Sequence, residues 1–264
     1  MTVQRYLWLV GGCCLGVACS PRLPARLLRL EAKDLRFSVP DQVPGGLVRV
    51  RLVNLDQVWH EASIVRLDGA EASLTAYVAA ARAGVEYPAF AVDQGGVSIL
   101  APGDSAEVIL RLTPGRYEVI CWHRDHVLQG MGAEFRVGSP APSEADPSAA
   151  HDVALRDFAI PAIAPAPGRE LIHLQNTGPS EHEFIVLRLN DGASLADYMT
   201  WRASGELGPA PARPVAGSAA LARGGEAWVE VTWTRGTYIL LCLLEDSTGT
   251  LHSSLGMNRV VTVP

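Results

Sequence analysis

The sequence predicts an all-β protein built from two copies of one β-sandwich domain. Gly (25) and Pro (18) are frequent, as expected for a chain with many turns between short strands. Residues 47–53 alternate apolar and polar side chains, which is typical of a half-buried strand, and strand-like segments recur in both halves. Residues 71–83 and 194–203 each predict a short helix between strands. Short strands at regular spacing with one inserted helix indicate a sandwich.

The two copies are recognised by residues that recur at a nearly constant offset. The matched pairs are Asn54 with Asn176, His60 with His182, Cys121 with Cys242, and Met131 with Met257. The offset is 122 for the histidines (182 − 60 = 122), 121 for the cysteines (242 − 121 = 121) and 126 for the methionines (257 − 131 = 126). A whole segment, Gly46 to Asn54, also recurs as Gly168 to Asn176. This self-similarity indicates a duplicated domain of about a hundred residues.

The domain boundaries follow from the composition. Residues 139–150 are rich in Pro, Ser and Ala and indicate a linker. We therefore predict one domain over residues 28–138 and a second over residues 151–264. Each copy is long enough to bury a core of its own.

Residues 1–19 differ from the rest and indicate an export signal. Arg5 precedes an uncharged, mostly apolar run from Tyr6 to Ala18, which is too short to span a bilayer comfortably. Small residues then precede Cys19, a pattern that resembles the lipobox of bacterial lipoproteins. The resemblance implies a lipid on Cys19 and a protein held at a membrane in the bacterial cell envelope, in the periplasm or at the cell surface. An ordinary secretory signal, an uncleaved anchor, and Cys13 as the lipidated residue are the alternatives.

Outside the export segment, two cysteines remain, Cys121 and Cys242. They occupy the same position in separate copies, so we expect no disulfide between them. His126 follows Cys121 by five residues, and Met131 follows His126 by five more. Thiolate, imidazole and thioether suit copper better than magnesium or calcium, which prefer oxygen ligands. One further histidine, His60, would complete a His2Cys site with a weak axial Met.

Each copy resembles a cupredoxin domain, the Greek-key sandwich of plastocyanin, azurin and rusticyanin. The resemblance is carried by Phe-x2-Pro, the Gly-to-Asn strand, Asn-x5-His, Gly-x-Tyr-x3-Cys and His-x4-Met. It implies two Greek-key cupredoxin-like β-sandwiches in tandem, each with a short helical insert, and one or two copper ions, with the first copy the better candidate. The implied ligands are His60, Cys121, His126 and Met131 in the first copy, and His182, Cys242, His252 and Met257 in the second.

The chain departs from the family pattern in two places. Nine residues separate Cys242 from His252, so the second ligand loop is long. Glu61 and Glu183 follow the first histidine of each copy, where plastocyanin and azurin have an Asn that ties the ligand loops together. These glutamates are either hydrogen-bond acceptors for the adjacent histidines or surface charges. We expect surface charges, and ligand loops that are less rigid. His123 stays open as an alternative ligand, and His126 is expected on an exposed loop as the exit for electrons.

The resemblance implies electron transfer through type 1-like copper, with a redox or copper-exchange protein as partner. A copper carrier or buffer, or a copper-free binding module of the cell surface, is the alternative; buried Cys and Met are often no more than core residues. The net charge of −6, without a Lys/Arg cluster, argues against nucleic acid. We expect no enzyme, because two-domain enzymes of this resemblance add His-x-His pairs and this sequence has none.

Overall fold

The computed structural model describes residues 26–85, 88–140 and 145–264, and it is mostly β. The export segment with Cys13 and Cys19 lies outside the described residues. The first half contains β1 (Arg26–Lys33), β2 (Arg36–Ser38), β3 (Gln42–Asn54), β4 (His60–Leu67), α1 (Leu74–Arg82), β5 (Ala91–Leu100), β6 (Ser105–Leu112), β7 (Gly115–Ile120), a 3₁₀ segment (His123–Gln129) and β8 (Gly132–Pro140). The second contains β9 (His151–Leu155), β10 (Gly168–Asn176), β11 (His182–Leu189), α2 (Leu195–Ala203), β12 (Ala212–Leu221), β13 (Glu226–Trp233), β14 (Gly236–Leu241) and β15 (Asn258–Val263).

The strands form two packed layers. Sheet A has the order β2-β1-β3-β6-β13-β10-β9, and sheet B has the order β8-β7-β4-β5-β12-β11-β14-β15. Strand β3 belongs to both, since its first residues pair with β8 and the residues from Gly46 onward pair with β6. Gly45 and Gly46 permit this passage: a Cβ at Gly45 would lie 2.8 Å from the Gly138 carbonyl oxygen, and Gly46 has a φ of +102°.

The core lies between the two sheets and follows from the alternation of the strands. In β3, Val48, Val50 and Leu52 are fully buried, whereas Arg49 and Arg51 between them point away from the core. In β7, Tyr117 and Val119 face the same core from sheet B. Each fully buried aliphatic side chain contributes about 1.5–3 kcal/mol relative to exposure.

The two halves join edge to edge in both layers. In sheet B, Val97 of β5 pairs with Ser218 of β12; in sheet A, Val108 of β6 pairs with Val229 of β13. In each pair the partners are matched positions of the repeat (218 − 97 = 121; 229 − 108 = 121). An approximate two-fold axis therefore runs through this seam, and both sheets continue across it. The domain boundaries themselves stay a prediction.

The two helices lie where the sequence predicts them. Ser73 caps α1 by accepting a hydrogen bond from the Ala76 amide, and Ser194 forms a capping box with Asp197 at the start of α2. Tyr77 and Tyr198 are the buried residues by which α1 and α2 pack on sheet B. Among the described residues, no helix has the length and apolar character that a bilayer crossing requires.

Candidate metal centres

Neighbouring strands bring the first group of ligands together. His60 begins β4 and Cys121 follows directly after β7, and these two strands are paired antiparallel. Cys121 and His60 both face the core, because they lie in register with core residues of their strands. The chain then turns through the 3₁₀ segment, which returns His126 to the same point.

The three donor atoms of this group converge. The Cys121 Sγ lies 3.7 Å from the His60 Nδ1 and 3.5 Å from the His126 Nδ1, and the two Nδ1 atoms are 3.2 Å apart. His60 and Cys121 are fully buried, and His126 is 6 % exposed. His126 lies on a loop whose Arg124 and Asp125 are exposed, although its own side chain is nearly covered, and its role as the exit for electrons stays a prediction.

The second group repeats this arrangement despite its longer loop. The His182 and His252 Nδ1 atoms are 3.2 Å apart, and the Cys242 Sγ lies 3.5 Å from the His252 Nδ1. All three ligand atoms lie within 4.8 Å of one another. The loop folds back because the amides of His252 and Ser253 donate to the carbonyls of Leu244 and Cys242. A few extra residues cost well under 1 kcal/mol in closure entropy, so the length is tolerated.

Both donor sets suit copper. Atoms bonded to one ion at about 2.0 Å (nitrogen) and 2.3 Å (sulfur) are separated by roughly 3–4 Å. The three distances of the first set have this spacing, and the donor atoms of the second set lie within 4.8 Å of one another. Two imidazoles and one thiolate form the trigonal His2Cys set of blue-copper sites. The two groups therefore support copper as the cofactor, with one or two ions per chain.

The two centres are separate. Cys121 and Cys242 follow β7 and β14, and four strands of sheet B lie between β7 and β14. Five strand spacings of about 4.8 Å place the two thiols roughly 24 Å apart. Both cysteines are free, as expected from their positions in the repeat.

Each centre also has a buried methionine beside it. Met131 and Met257 are fully buried. The Met131 amide donates to the His126 carbonyl, and the Cys121 amide donates to the Met131 carbonyl. Met257 makes the same two backbone contacts with His252 and Cys242. The backbone therefore holds both methionines next to the ligand loops.

A carboxylate orients the first histidine of each centre. The His60 Nε2 lies 3.2 Å from the Asp56 Oδ2, and the His182 Nε2 lies 2.6 Å from the Asp157 Oδ1. Such a contact selects the tautomer that leaves Nδ1 free as a donor to metal. The two aspartates are not matched positions of the repeat. Gly178 matches Asp56 (178 − 56 = 122), and a Cβ there would lie 2.7 Å from the Asp157 carboxylate.

Glu61 and Glu183 tie the ligand loops together, so the expectation of two surface charges is wrong. The Glu61 carboxylate accepts a hydrogen bond of 2.9 Å from the Trp122 amide, and the Glu183 carboxylate accepts one of 2.6 Å from the Leu243 amide. The Glu61 and Glu183 amides also approach the Cys121 and Cys242 Sγ atoms at 3.5 Å. Glutamate thus links the loops at the position where the resembling family has Asn.

Burial dominates the electrostatics of the ligands. It raises the pKa of the Cys121 and Cys242 thiols, and the neighbouring Glu61 and Glu183 carboxylates raise it further. It lowers the pKa of His126 to about 4, and the nearby His60 and His123 add to this effect. The pKa of His60 is also lowered by burial, against the opposing pull of Asp56. The imidazoles are therefore neutral and ready to bind metal at neutral pH, whereas each thiol must lose its proton to do so.

The remaining histidines lie outside the two groups. The His123 ring is 5.7 Å from the His126 ring, and its Nε2 lies 3.4 Å from the Glu206 carboxylate of the second half. The His173 ring stacks on the Trp228 ring, with 4.7 Å between the ring centroids. His151 lies 3.3 Å from the Glu170 carboxylate. The contacts of these three histidines account for their positions without a metal ion.

The comparisons with known proteins found similarity of low sequence identity among solved structures. No family model matches the chain, and no curated protein matches it. Among solved structures, an auracyanin from Roseiflexus castenholzii is 20 % identical, covers 43 % of this chain and 95 % of its own, and has a TM-score of 0.32. A copper-containing nitrite reductase from Thermus scotoductus is 14 % identical, covers 91 % of this chain and 62 % of its own, and has a TM-score of 0.27. A multi-copper oxidase from Pseudomonas thermotolerans is 15 % identical, covers 90 % of this chain and 67 % of its own, and has a TM-score of 0.27.

These matches correct one expectation from the sequence. We expected no enzyme, yet a nitrite reductase and several multicopper oxidases, which are enzymes, match about nine tenths of the chain. The expected fold class is confirmed: the protein is all-β and cupredoxin-like, with one helix in each half and one His/Cys/His group in each half.

Proposed function

We propose that this chain is an electron-transfer protein with type 1-like copper at both centres. The first ion would be held by His60, Cys121 and His126 with Met131 as the weak axial ligand, and the second by His182, Cys242 and His252 with Met257. The observation that carries the proposal is the convergence of two Nδ1 atoms and one Sγ atom within 3.2–3.7 Å in the first centre. When bound, copper would supply a one-electron couple, Cu(II)/Cu(I), that a thiolate and two imidazoles accommodate in both states.

The burial of the ligands favours electron transfer over copper carriage. A carrier needs ligands that a partner can reach and exchange, whereas His60, Cys121, His182 and Cys242 are fully buried. Asp56 and Asp157 hold the first histidines, and Glu61 and Glu183 hold the ligand loops. A ligand set held on several sides reorganises little when the oxidation state changes.

The proposal places the protein in the bacterial cell envelope with a protein redox partner. Its support is the export segment of the sequence and the lipobox-like residues before Cys19. Mass spectrometry of the membrane fraction tests the anchor. We expect a mature chain that begins at a lipidated Cys19 and loses membrane attachment in Cys19→Ser.

Reversible redox cycling tests the function. The protein is loaded with Cu(II), its visible spectrum is recorded, and it is cycled between ascorbate and ferricyanide. We expect an intense thiolate-to-copper band that bleaches on reduction and returns on each cycle. His151→Gln, which changes a histidine outside both centres, is the matched control and should behave as the wild type. Copper that is lost to a chelator on the first reduction would favour the carrier, and a protein that takes up no copper would contradict both.

A further inference from the structure

The approximate two-fold axis relates two regions on the outer face of sheet A, and the matched side chains of these regions differ. One region carries an apolar cluster, Leu47, Ile109, Leu171 and Trp228. The other is a groove lined by the matched positions, where Arg169 replaces Leu47, Glu230 replaces Ile109, Arg49 replaces Leu171 and Glu107 replaces Trp228. The matched positions are therefore apolar in the first region and charged in the second.

The apolar region is covered by the segment that precedes β9. Ala149 packs on the apolar cluster, Pro147 is buried, and the Ala150 amide donates to the Leu171 carbonyl at 2.8 Å. An acidic side chain fixes this segment, because Asp146 pairs with Arg111. The covered region thus shows that an extended segment with a carboxylate can lie across this face of sheet A.

The charged groove is open within the described part of the chain. It has a volume of about 800 Å³, and Arg51, Arg188 and Arg213 also line it. It lies where β6 and β13 stop pairing: their contacts end at Val108 and Val229. Beyond that point the strands separate and expose the inner side of sheet B, with Arg188 and Arg213.

The charges of this groove do not balance. Five arginines face three carboxylates, those of Asp104, Glu107 and Glu230, so the groove carries a net charge of about +2 in a protein whose net charge is −6. Glu107 is shared between Arg49 at 3.5 Å and Arg51 at 3.6 Å. Arg188 donates to the Arg235 carbonyl and lies near no carboxylate in the described residues. The Nε atoms of Arg51 and Arg188 are buried without a hydrogen-bond partner among those residues.

We propose that this arginine groove binds an extended acidic segment of a partner protein. Guanidinium groups recognise carboxylates through paired hydrogen bonds, and a concave surface concentrates their field. The covered region supplies the precedent for a carboxylate on an arginine, since Asp146 pairs with Arg111 there. Charge complementarity selects aspartate- and glutamate-rich segments, and the open groove excludes the apolar segment that suits its counterpart.

Binding of a fluorescein-labelled peptide of alternating glutamate and alanine tests this proposal. We expect anisotropy to show saturable binding that weakens as salt is added. Arg51→Gln with Arg188→Gln should raise Kd about tenfold or more, since these two arginines carry the surplus charge. Arg111→Gln, in the covered region, and Arg136→Gln, on β8, are the matched controls and should leave Kd within about twofold.

Three outcomes would overturn the proposal. The first is no saturable binding of the peptide to the wild type at low salt. The second is equal weakening by the control variants, which would indicate only a general attraction. The third is equal displacement of the peptide by inorganic phosphate or by a single-stranded oligonucleotide at matched ionic strength, which would indicate a site for any anion. Thermal unfolding of each variant verifies that the double variant is folded. Arg51→Lys keeps the charge, so a double variant with Lys in place of Gln at position 51 should recover part of the affinity.

Discussion

At the scale of single residues, the centres depend on side chains that the sequence reveals unequally. His60, Cys121 and their counterparts recur at matched positions, so the repeat and the resemblance identify them together. The repeat does not identify Asp56 and Asp157, because the two carboxylates come from unmatched positions of the two halves. The nearest signal for Asp56 is its spacing of four residues from His60, a spacing too common to identify a partner on its own.

Loss of these aspartates should weaken copper binding at one centre at a time. Asp56→Asn removes the carboxylate that fixes the His60 tautomer, so we expect copper affinity at the first centre to fall about 10–100-fold. Competition with a chelator of known affinity measures this change. Asp152→Asn removes a carboxylate 3.0 Å from the non-ligand His173 and should have no effect. An unchanged affinity in Asp56→Asn would show that the histidine is held by its packing alone.

Glu118 should make the stability of the metal-free protein depend on pH. This fully buried residue has no hydrogen-bond partner for its carboxylate among the described residues, and burial raises its pKa from 4.5 to about 8, with a smaller contribution from Glu134. The folded state therefore retains a proton that the unfolded chain releases between pH 4.5 and about 8, and stability falls as pH rises through this range. Ile239 occupies the matched position in the second half (239 − 118 = 121).

Glu118→Gln should remove this loss. The free energy of unfolding is measured in urea at pH 5 and pH 8.5. Relative to the wild type, the value for the variant should be a few kcal/mol higher at pH 8.5 than at pH 5, since each pKa unit corresponds to about 1.4 kcal/mol. Glu31→Gln, at a partly exposed position whose carboxylate pairs with Arg29, is the control and should follow the wild type at both pH values. A constant difference between Glu118→Gln and the wild type would contradict the assignment.

At the scale of elements, the strands and helices were predictable where local pattern decides them. The alternation in β3, the serine caps of α1 and α2, and the Gly-x-Tyr start of β7 and β14 are all local. The loop contacts were not predictable, because Glu61 and Trp122 are 61 residues apart and meet only after β4 and β7 have paired. From the sequence alone, the charge of Glu61 predicts a surface position. The tertiary structure instead turns its carboxylate toward the Trp122 amide.

Glu61→Ala should loosen the link between β4 and the first ligand loop. The variant leaves the Trp122 amide without its acceptor in a largely buried place, which costs about 1–3 kcal/mol. Chemical denaturation measures this loss. Glu61→Gln keeps an acceptor oxygen and should recover most of the stability, whereas Glu245→Ala, on the second loop, should change it little. Equal losses in Glu61→Ala and Glu61→Gln would mean that charge, and not the hydrogen bond, holds the loop.

At the scale of the whole molecule, the seam is the feature that sequence could not reveal. The repeat predicts two similar halves, but the pairing of β5 with β12 and of β6 with β13 joins strand edges that lie far apart in the chain. No turn or local pattern specifies such a contact. The seam is nevertheless what separates the two centres and relates the two regions on the outer face of sheet A.

Continuous sheets predict that the halves unfold together. We expect one urea transition, followed equally by tryptophan fluorescence and far-UV circular dichroism. Leu52→Ala, a cavity in the first half, should shift the whole transition by about 2–5 kcal/mol without splitting it. Two separate transitions, with only one displaced by Leu52→Ala, would show that the halves are stable independently.

The central claim is that each half builds its own copper centre around its own cysteine. The most direct measurement is the number of copper ions per chain that develop the thiolate-to-copper band during titration with Cu(II). The account predicts two ions for the wild type and one each for Cys121→Ser and Cys242→Ser, because the two thiols lie roughly 24 Å apart. A band that disappears entirely in either single variant, or a variant that still develops the band with two ions per chain, would contradict it.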